Sequence, residues 1–311
     1  MNRETIRTLK TKIERQIQSA SPKLLNDFPL ERYSGLIARY PRLANYAYVS
    51  PEVKQLCDAV LMNSNGHVLE LYNKCLLLDL MGKALDKLDH LQVTDEVKGF
   101  YVLNFQRIAR EIENNENPAG FYMYPDDKFL KELGVCSLRL IPAGVQKISL
   151  SSLPVNFLFK DVRSQFIEAL KFLIFDLKGV NPLYSMHTDS HDPHLMAEFN
   201  AQGWKVFLLR CADILKMNPQ VKGAFGISWF IDPQLEKISP KLCYVRHLVY
   251  QSGGKIFYLA PAVSSIQDAV YKSPTRKQLY ERGKYIPKEY IGMWSRRSLI
   301  SWADKEKGLI Q

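Results

Sequence analysis

The residue types best suited to chemistry in this 311-residue chain crowd into one short stretch. His187, Asp189, His191, Asp192 and His194 stand close together, and Glu198 follows them. At the end of a strand, His187 and Asp189 would share a face, because side chains alternate in direction. An imidazole and a carboxylate so placed, completed by the distant His247, would form a two-histidine, one-carboxylate facial site for non-heme Fe(II). Lys255 could then hold the carboxylate of a 2-oxoacid. His187 or Glu198 could instead act as a general base, since imidazole titrates near neutral pH. The plainest alternative is a polar loop whose Asp and His side chains cap Pro193 and the helix after it. All three readings stay open at this point.

Two further segments carry possible chemistry of a different kind. In Val221–Asp232 a β-rich run contains Gly223 and Gly226, followed by Ser228. Glycines inside a strand mark a bulge or a close backbone approach, and either would let a ligand lie against the main chain. The run leads toward a helix N-terminus, where free N–H groups favour an anion. A glycine-softened core strand is the simpler alternative. From Tyr280 to Trp302, basic residues (Arg282, Lys284, Lys288, Arg296, Arg297) alternate with Tyr285, Tyr290 and Trp294. Such interleaving can stack bases and neutralise phosphates. It also suits a C-terminal wrap with its aromatics on the core and its cations in water, and Ser295 reads as the N-cap of a last helix.

The elements that must position these residues change character along the chain. Leu69, Tyr72, Cys75 and Leu76 recur at helical spacing, and Thr94 is an N-cap for a helix carrying Val97, Tyr101, Ile108 and Ile112. The polar stretch Asn114–Pro118 ends that pattern, giving a helical region 1–117 and an α/β region 118–311. Val135–Ile141 and Val145–Leu150 read as strands about Pro142-Ala-Gly144. A helix through Phe166–Leu177 closes at Gly179, and the apolar run Leu183–Met186 follows. Trp204–Leu215 is helical, Val221–Ile231 is a strand, and Ser239-Pro240 opens a helix. Lys255–Leu259 is a strand, and Ser273-Pro274 starts a helix running to Gly283. This alternation predicts an α/β (or α+β) fold with parallel pairing, its ligand at the C-terminal ends of the strands.

Composition narrows the partners. A net charge of +10 and a pI near 9.2 favour an anionic small-molecule cofactor or substrate, with nucleic acid as a second class. No run of about five basic residues marks a nucleic-acid tail. No apolar run reaches the roughly 18 residues of a membrane span, and Met1–Gln18 lacks the apolar core of a secretory signal. Five scattered cysteines without a CxxC pair read as buried hydrophobes in a reducing compartment, so a cytoplasmic location is expected.

The order of the last third is a strand over Val221–Asp232, a helix from Ser239, a strand over Lys255–Leu259, then Leu279-Tyr280-Glu281-Arg282-Gly283. It resembles the acyl-CoA half of the GNAT acyltransferases. Between the first strand and helix stands Pro233-Gln-Leu-Glu-Lys-Ile238-Ser-Pro240, without the glycines of that family's pyrophosphate loop. The resemblance implies an enzyme that moves an acyl group from CoA or a carrier thioester to an amine. His187 or Glu198 would be its base, and Gly223, Gly226, Ser228 and Tyr280 would bind the donor. The alternatives are an Fe(II)-dependent oxygenase using His187, Asp189 and His247, and a non-enzymatic nucleic-acid or partner-binding protein using Arg276–Arg297.

Overall fold

The computed structural model describes residues 3–41, 43–160, 163–189, 196–263 and 265–309. The chain condenses into two compact units, Met1–Ala143 and Gly144–Gln311. The protein is mixed α/β with a helical N-terminal part.

The first unit contains α1 (Arg3–Ala20), α2 (Leu30–Ala38), α3 (Pro51–Met62), α4 (Gly66–Lys87), α5 (Asp95–Asn114) and α6 (Asp127–Cys136). α4 is apolar around its circumference and buries Leu69, Tyr72, Leu76 and Met81, the pattern of a helix wrapped on all sides. α1 lays the stripe Ile6, Leu9, Ile13 and Ile17 against it. Each such side chain contributes about 1.5–3 kcal/mol relative to exposure. Lys10 of α1 and Lys83 of α4 converge on Asp79 at 2.8 and 2.7 Å. Helix starts follow local capping chemistry. Ser50, Asn65 and Thr94 accept the N–H groups of Val53, Val68 and Val97, and Asp126 accepts those of Lys128 and Phe129.

That last cap accounts for one departure from the sequence reading. Val135 closes helix α6 instead of opening a strand, and Phe129, Leu133 and Cys136 join the same core as α4. The change in composition comes at 117/118, whereas packing divides the chain between Ala143 and Gly144.

The second unit contains β1 (Lys147–Ser151), α7 (Arg163–Lys171, continued as a π-turn over Phe172–Leu177), β2 (Leu183–His187), α8 (Ala201–Met217) and β3 (Gly223–Ser228). α9 (Tyr244–Gln251), β4 (Lys255–Pro261), α10 (Pro274–Glu281), β5 (Lys288–Ser295) and α11 (Arg296–Gly308) complete it. Its strands lie in the order β1-β2-β3-β5-β4. Only β2 and β3 pair in parallel; β1–β2, β3–β5 and β5–β4 are antiparallel. The expected run of parallel strands is thus corrected. The reason is β5, which the sequence reading placed in a peripheral wrap and which inserts between β3 and β4.

One sheet face packs Phe225, Phe257, Ile291 and Met293 beneath Phe172, Leu173 and Leu177. On the other, α8 buries Trp204, Phe207, Cys211 and Leu215, and α11 packs along α8. Gly223 permits the closest strand approach, since a Cβ there would collide with the carbonyl oxygen of Trp294. Ser273 and Ser295 cap α10 and α11 as expected. All five cysteines are buried thiols outside any disulfide. Among the described residues, no helix is long and apolar enough to cross a membrane.

Candidate active site

The sheet opens where its two parallel strands meet. Pairing between β2 and β3 is confined to Tyr184 with Ala224 and Ser185 with Phe225, although β2 runs on to His187 and β3 to Ser228. Their outer neighbours do not let go. β1 stays in register with β2 through Lys147 and His187, and β5 stays with β3 through Tyr290 and Ser228. Ladder pairing therefore ends inside the sheet rather than at a frayed edge, with Met186 and Gly226 still in contact. A cavity of about 50 Å³ lies there, lined by Met186, Thr188, Gly226, Ser228, Trp204 and Trp294 among others. Gly226 stands against Met186, whose Cβ and Sδ would lie 3.4 Å from any added Cβ.

The walls of this cavity carry polar groups. Gln146 and Thr188 exchange hydrogen bonds of 2.9 and 3.1 Å. Trp204 is 8% exposed, and its indole N–H has no hydrogen-bond partner among the described residues. A buried donor left in this state costs about 1–3 kcal/mol, a cost that a ligand acceptor would remove.

The opposite face of β1 and β2 presents Lys147 and Ser149 beside Ser185 and His187, as register and alternation require. Ser149 Oγ lies 2.9 Å from His187 Nε2. Lys147 Nζ donates to Asp189 Oδ2 at 2.5 Å, with the two side chains 0% and 3% exposed. Sequence reasoning missed Gln146, Lys147, Ser149 and Trp204. The alternation of Lys147, Ser149 and Ser151 against Ile148 and Leu150 was a signal that one strand face is polar.

The other expected site residues disperse. Glu198 Oε2 lies 3.4 Å from Arg210 Nη1, and Gly144, at φ 105°, passes close against both side chains. Just after Glu198, Asn200 caps α8 by accepting the N–H of Gly203. Tyr280 packs edge-on to Tyr271, beside a cluster of Trp229, Leu235 and Tyr285, and is not among the residues lining the cleft. His247 sits on α9 with 58% of its side chain exposed, 4.0 Å from Glu236. Lys255 pairs with Glu168 at 3.1 Å.

With Asp189 held by Lys147, the Fe(II) set His187, Asp189 and His247 is not assembled. No group of three His, Cys, Asp or Glu side chains among the described residues could hold a metal. His191, Asp192, Pro193 and His194 lie outside the described residues.

The basic–aromatic segment is likewise used internally. Tyr285 and Trp294 are buried, and Trp294 donates its indole N–H to Ser252 at 2.7 Å. Arg276 is buried over the Trp229 ring, and Arg296 donates to the Leu215 and Asn218 carbonyls. Those aromatics are not available for base stacking.

Solved structures that match the chain include an acyltransferase in complex with decanoyl-CoA, at 12% identity and a TM-score of 0.49, covering 89% of this chain and 79% of the other. An acyltransferase in complex with decanoyl-CoA and teicoplanin matches at 13% identity and TM-score 0.46, covering 95% and 99%. An acyltransferase mutant in complex with octanoyl-CoA matches at 12% identity and TM-score 0.46, covering 88% and 87%. No family model and no curated protein matches the chain. Likeness at this level leaves the chemistry to be read from the site itself.

Chemically, a cleft between two parting strands offers main-chain groups to an extended ligand, as a sheet edge does to an added peptide strand. The indole N–H offers a donor to a carbonyl oxygen. His187, at the end of β2, offers an imidazole.

Proposed function

We propose that the second unit transfers an acyl group from a thioester donor, CoA or a carrier-linked equivalent, to an amine. The observation that carries this reading is the end of β2–β3 ladder pairing inside the sheet, with a cavity beside it lined by Trp204, whose buried N–H has no hydrogen-bond partner among the described residues. A pantetheine arm is an extended chain bearing amides, and it can add to β3 past Gly226, at Ile227–Ser228. The Trp204 N–H is assigned to a carbonyl oxygen of the donor. The acceptor nitrogen attacks the thioester carbon and gives up its proton through water to His187, which faces the other side of the sheet at the end of β2 with its Nε2 2.9 Å from Ser149 Oγ. The tetrahedral oxyanion then collapses, the C–S bond breaks, and the thiolate leaves and is protonated. Glu198 is assigned a positioning role at the entry to α8 through Arg210. The GNAT resemblance of Val221–Gly283 points to the same reaction class.

Acetyl-, octanoyl- and decanoyl-CoA serve as probes. At least one should raise the melting temperature of the wild-type protein and release free thiol when an amine is supplied. Gly226→Val, which fills the cleft, should abolish the stabilisation. His187→Ala should retain it and lower kcat by about 10²–10⁴-fold. Absence of stabilisation by all three thioesters would overturn the proposal.

A further inference from the structure

Ser228 lines the cleft, and its partner across the β3–β5 ladder, Tyr290, lines a second recess. This recess has a volume of about 300 Å³. Its floor is Tyr258 and Tyr290, whose rings meet edge-on at 5.6 Å. Its walls are Arg246 and Tyr250 of α9, Lys288 at the start of β5, and Gln165 of α7. Gln165 is fixed by accepting the N–H of Tyr258 at 2.8 Å and donating to its carbonyl at 3.1 Å, so it holds the rim in place.

The charges in this recess are unbalanced toward the positive. Lys288 Nζ sits 5.8 Å from the Tyr258 ring centroid and makes no ion pair among the described residues. The nearby carboxyl of Asp232 is buried and occupied by the backbone N–H groups of Lys288 and Gln234. Arg246 is braced by the Ile231 carbonyl at 2.9 Å, the Tyr250 hydroxyl at 3.2 Å and Glu236 at 3.4 Å. One cation is thus anchored and the other has no ion-pair partner among the described residues, beside two aromatic rings against which a flat group can pack.

We infer that this recess holds the acyl acceptor, an amine that also carries an aromatic ring and an anionic group, phosphate or carboxylate. Its assignment as the acceptor site rests on the acyl-transfer reading; its binding of aromatic anions does not. A molecule anchored at Lys288 and Arg246 with its ring on Tyr258 and Tyr290 reaches the cleft across a single strand spacing, about 5 Å.

Phenyl phosphate, benzoate and phenol are titrated by calorimetry into the full-length protein without any CoA compound. Phenyl phosphate or benzoate should bind while phenol does not, and the stronger of the two identifies the anionic group. Lys288→Met, which removes no ion pair, should weaken that binding by about tenfold or more and leave the melting temperature and the affinity for CoA unchanged. Binding of neither anion, or equal binding of phenol, overturns the inference even if acyl-CoA still binds. Loss of CoA affinity in Lys288→Met, with aromatic-anion binding intact, overturns it by assigning the recess to the donor.

Discussion

Replacing Lys147 by Met removes the cation from a pair that is almost wholly withdrawn from water. The partners are 0% and 3% exposed and 2.5 Å apart, so solvent cannot take over the charge left on Asp189. Breaking such a pair from one side costs about 3–5 kcal/mol, whereas replacing both partners by apolar groups of similar volume is often neutral. Lys147→Met alone should therefore lose about 3–5 kcal/mol, and Lys147→Met with Asp189→Leu should recover most of that loss. For a unit of this size the single variant melts roughly 6–20 °C lower. The tryptophans Trp204, Trp229, Trp294 and Trp302 all fall in the second unit, so urea unfolding followed by tryptophan fluorescence reports on that unit alone. A double variant as unstable as the sum of the two single variants would refute the coupling, as would a Lys147→Met loss under about 1 kcal/mol.

The two glycines of β3 should behave differently although they stand in the same strand. Gly223→Ala drives a Cβ into the Trp294 carbonyl and to 2.8 Å from Leu177 Cδ1, and should cost about 1–3 kcal/mol or more. Gly226→Ala, which meets Met186 at 3.4 Å, should change the urea midpoint little. In the first unit, burial opposes ionisation of Asp79, yet bonds from Lys10 and Lys83 outweigh it and hold its pKa below the usual carboxylate value. A carboxyl depressed in the folded state contributes stability above its unfolded pKa of about 4 and loses it as pH falls through the folded value. Asp79→Asn should accordingly cost about 1.5–3 kcal/mol at pH 7 and progressively less below pH 4, as read from far-UV circular dichroism melts across that range.

Much of the architecture was readable locally, because it depends on local chemistry. Thr94 and Ser273 cap the helices expected of them, Asn115 turns left-handed at the end of α5, and Ser295 starts α11. What escaped the sequence was pairing at a distance. No residue near Lys288 announces that its strand will lie between β3 and β4, and that insertion turns an expected parallel sheet into a mixed one. The same limit applies at the site. His187 and Asp189 stood out by spacing, but their partners Ser149 and Lys147 come from β1, some forty residues earlier, and only the ladder register brings them together. The cleft itself is a place where a ladder stops, and a strand pattern does not encode where its neighbour lets go.

The position of β5 also imposes an order on synthesis. β3 and β4 emerge first, and each keeps an unpaired edge until residues 288–295 leave the ribosome and slot between them. Exposed strand edges recruit other chains, so nascent copies stalled before Lys288 are the form most prone to aggregate. A shortened version ending at Gly283 would keep the cleft-forming segments of β2 and β3 yet lack the strand that holds β3 on its far side, and chaperones would meet it as a sheet with its middle missing.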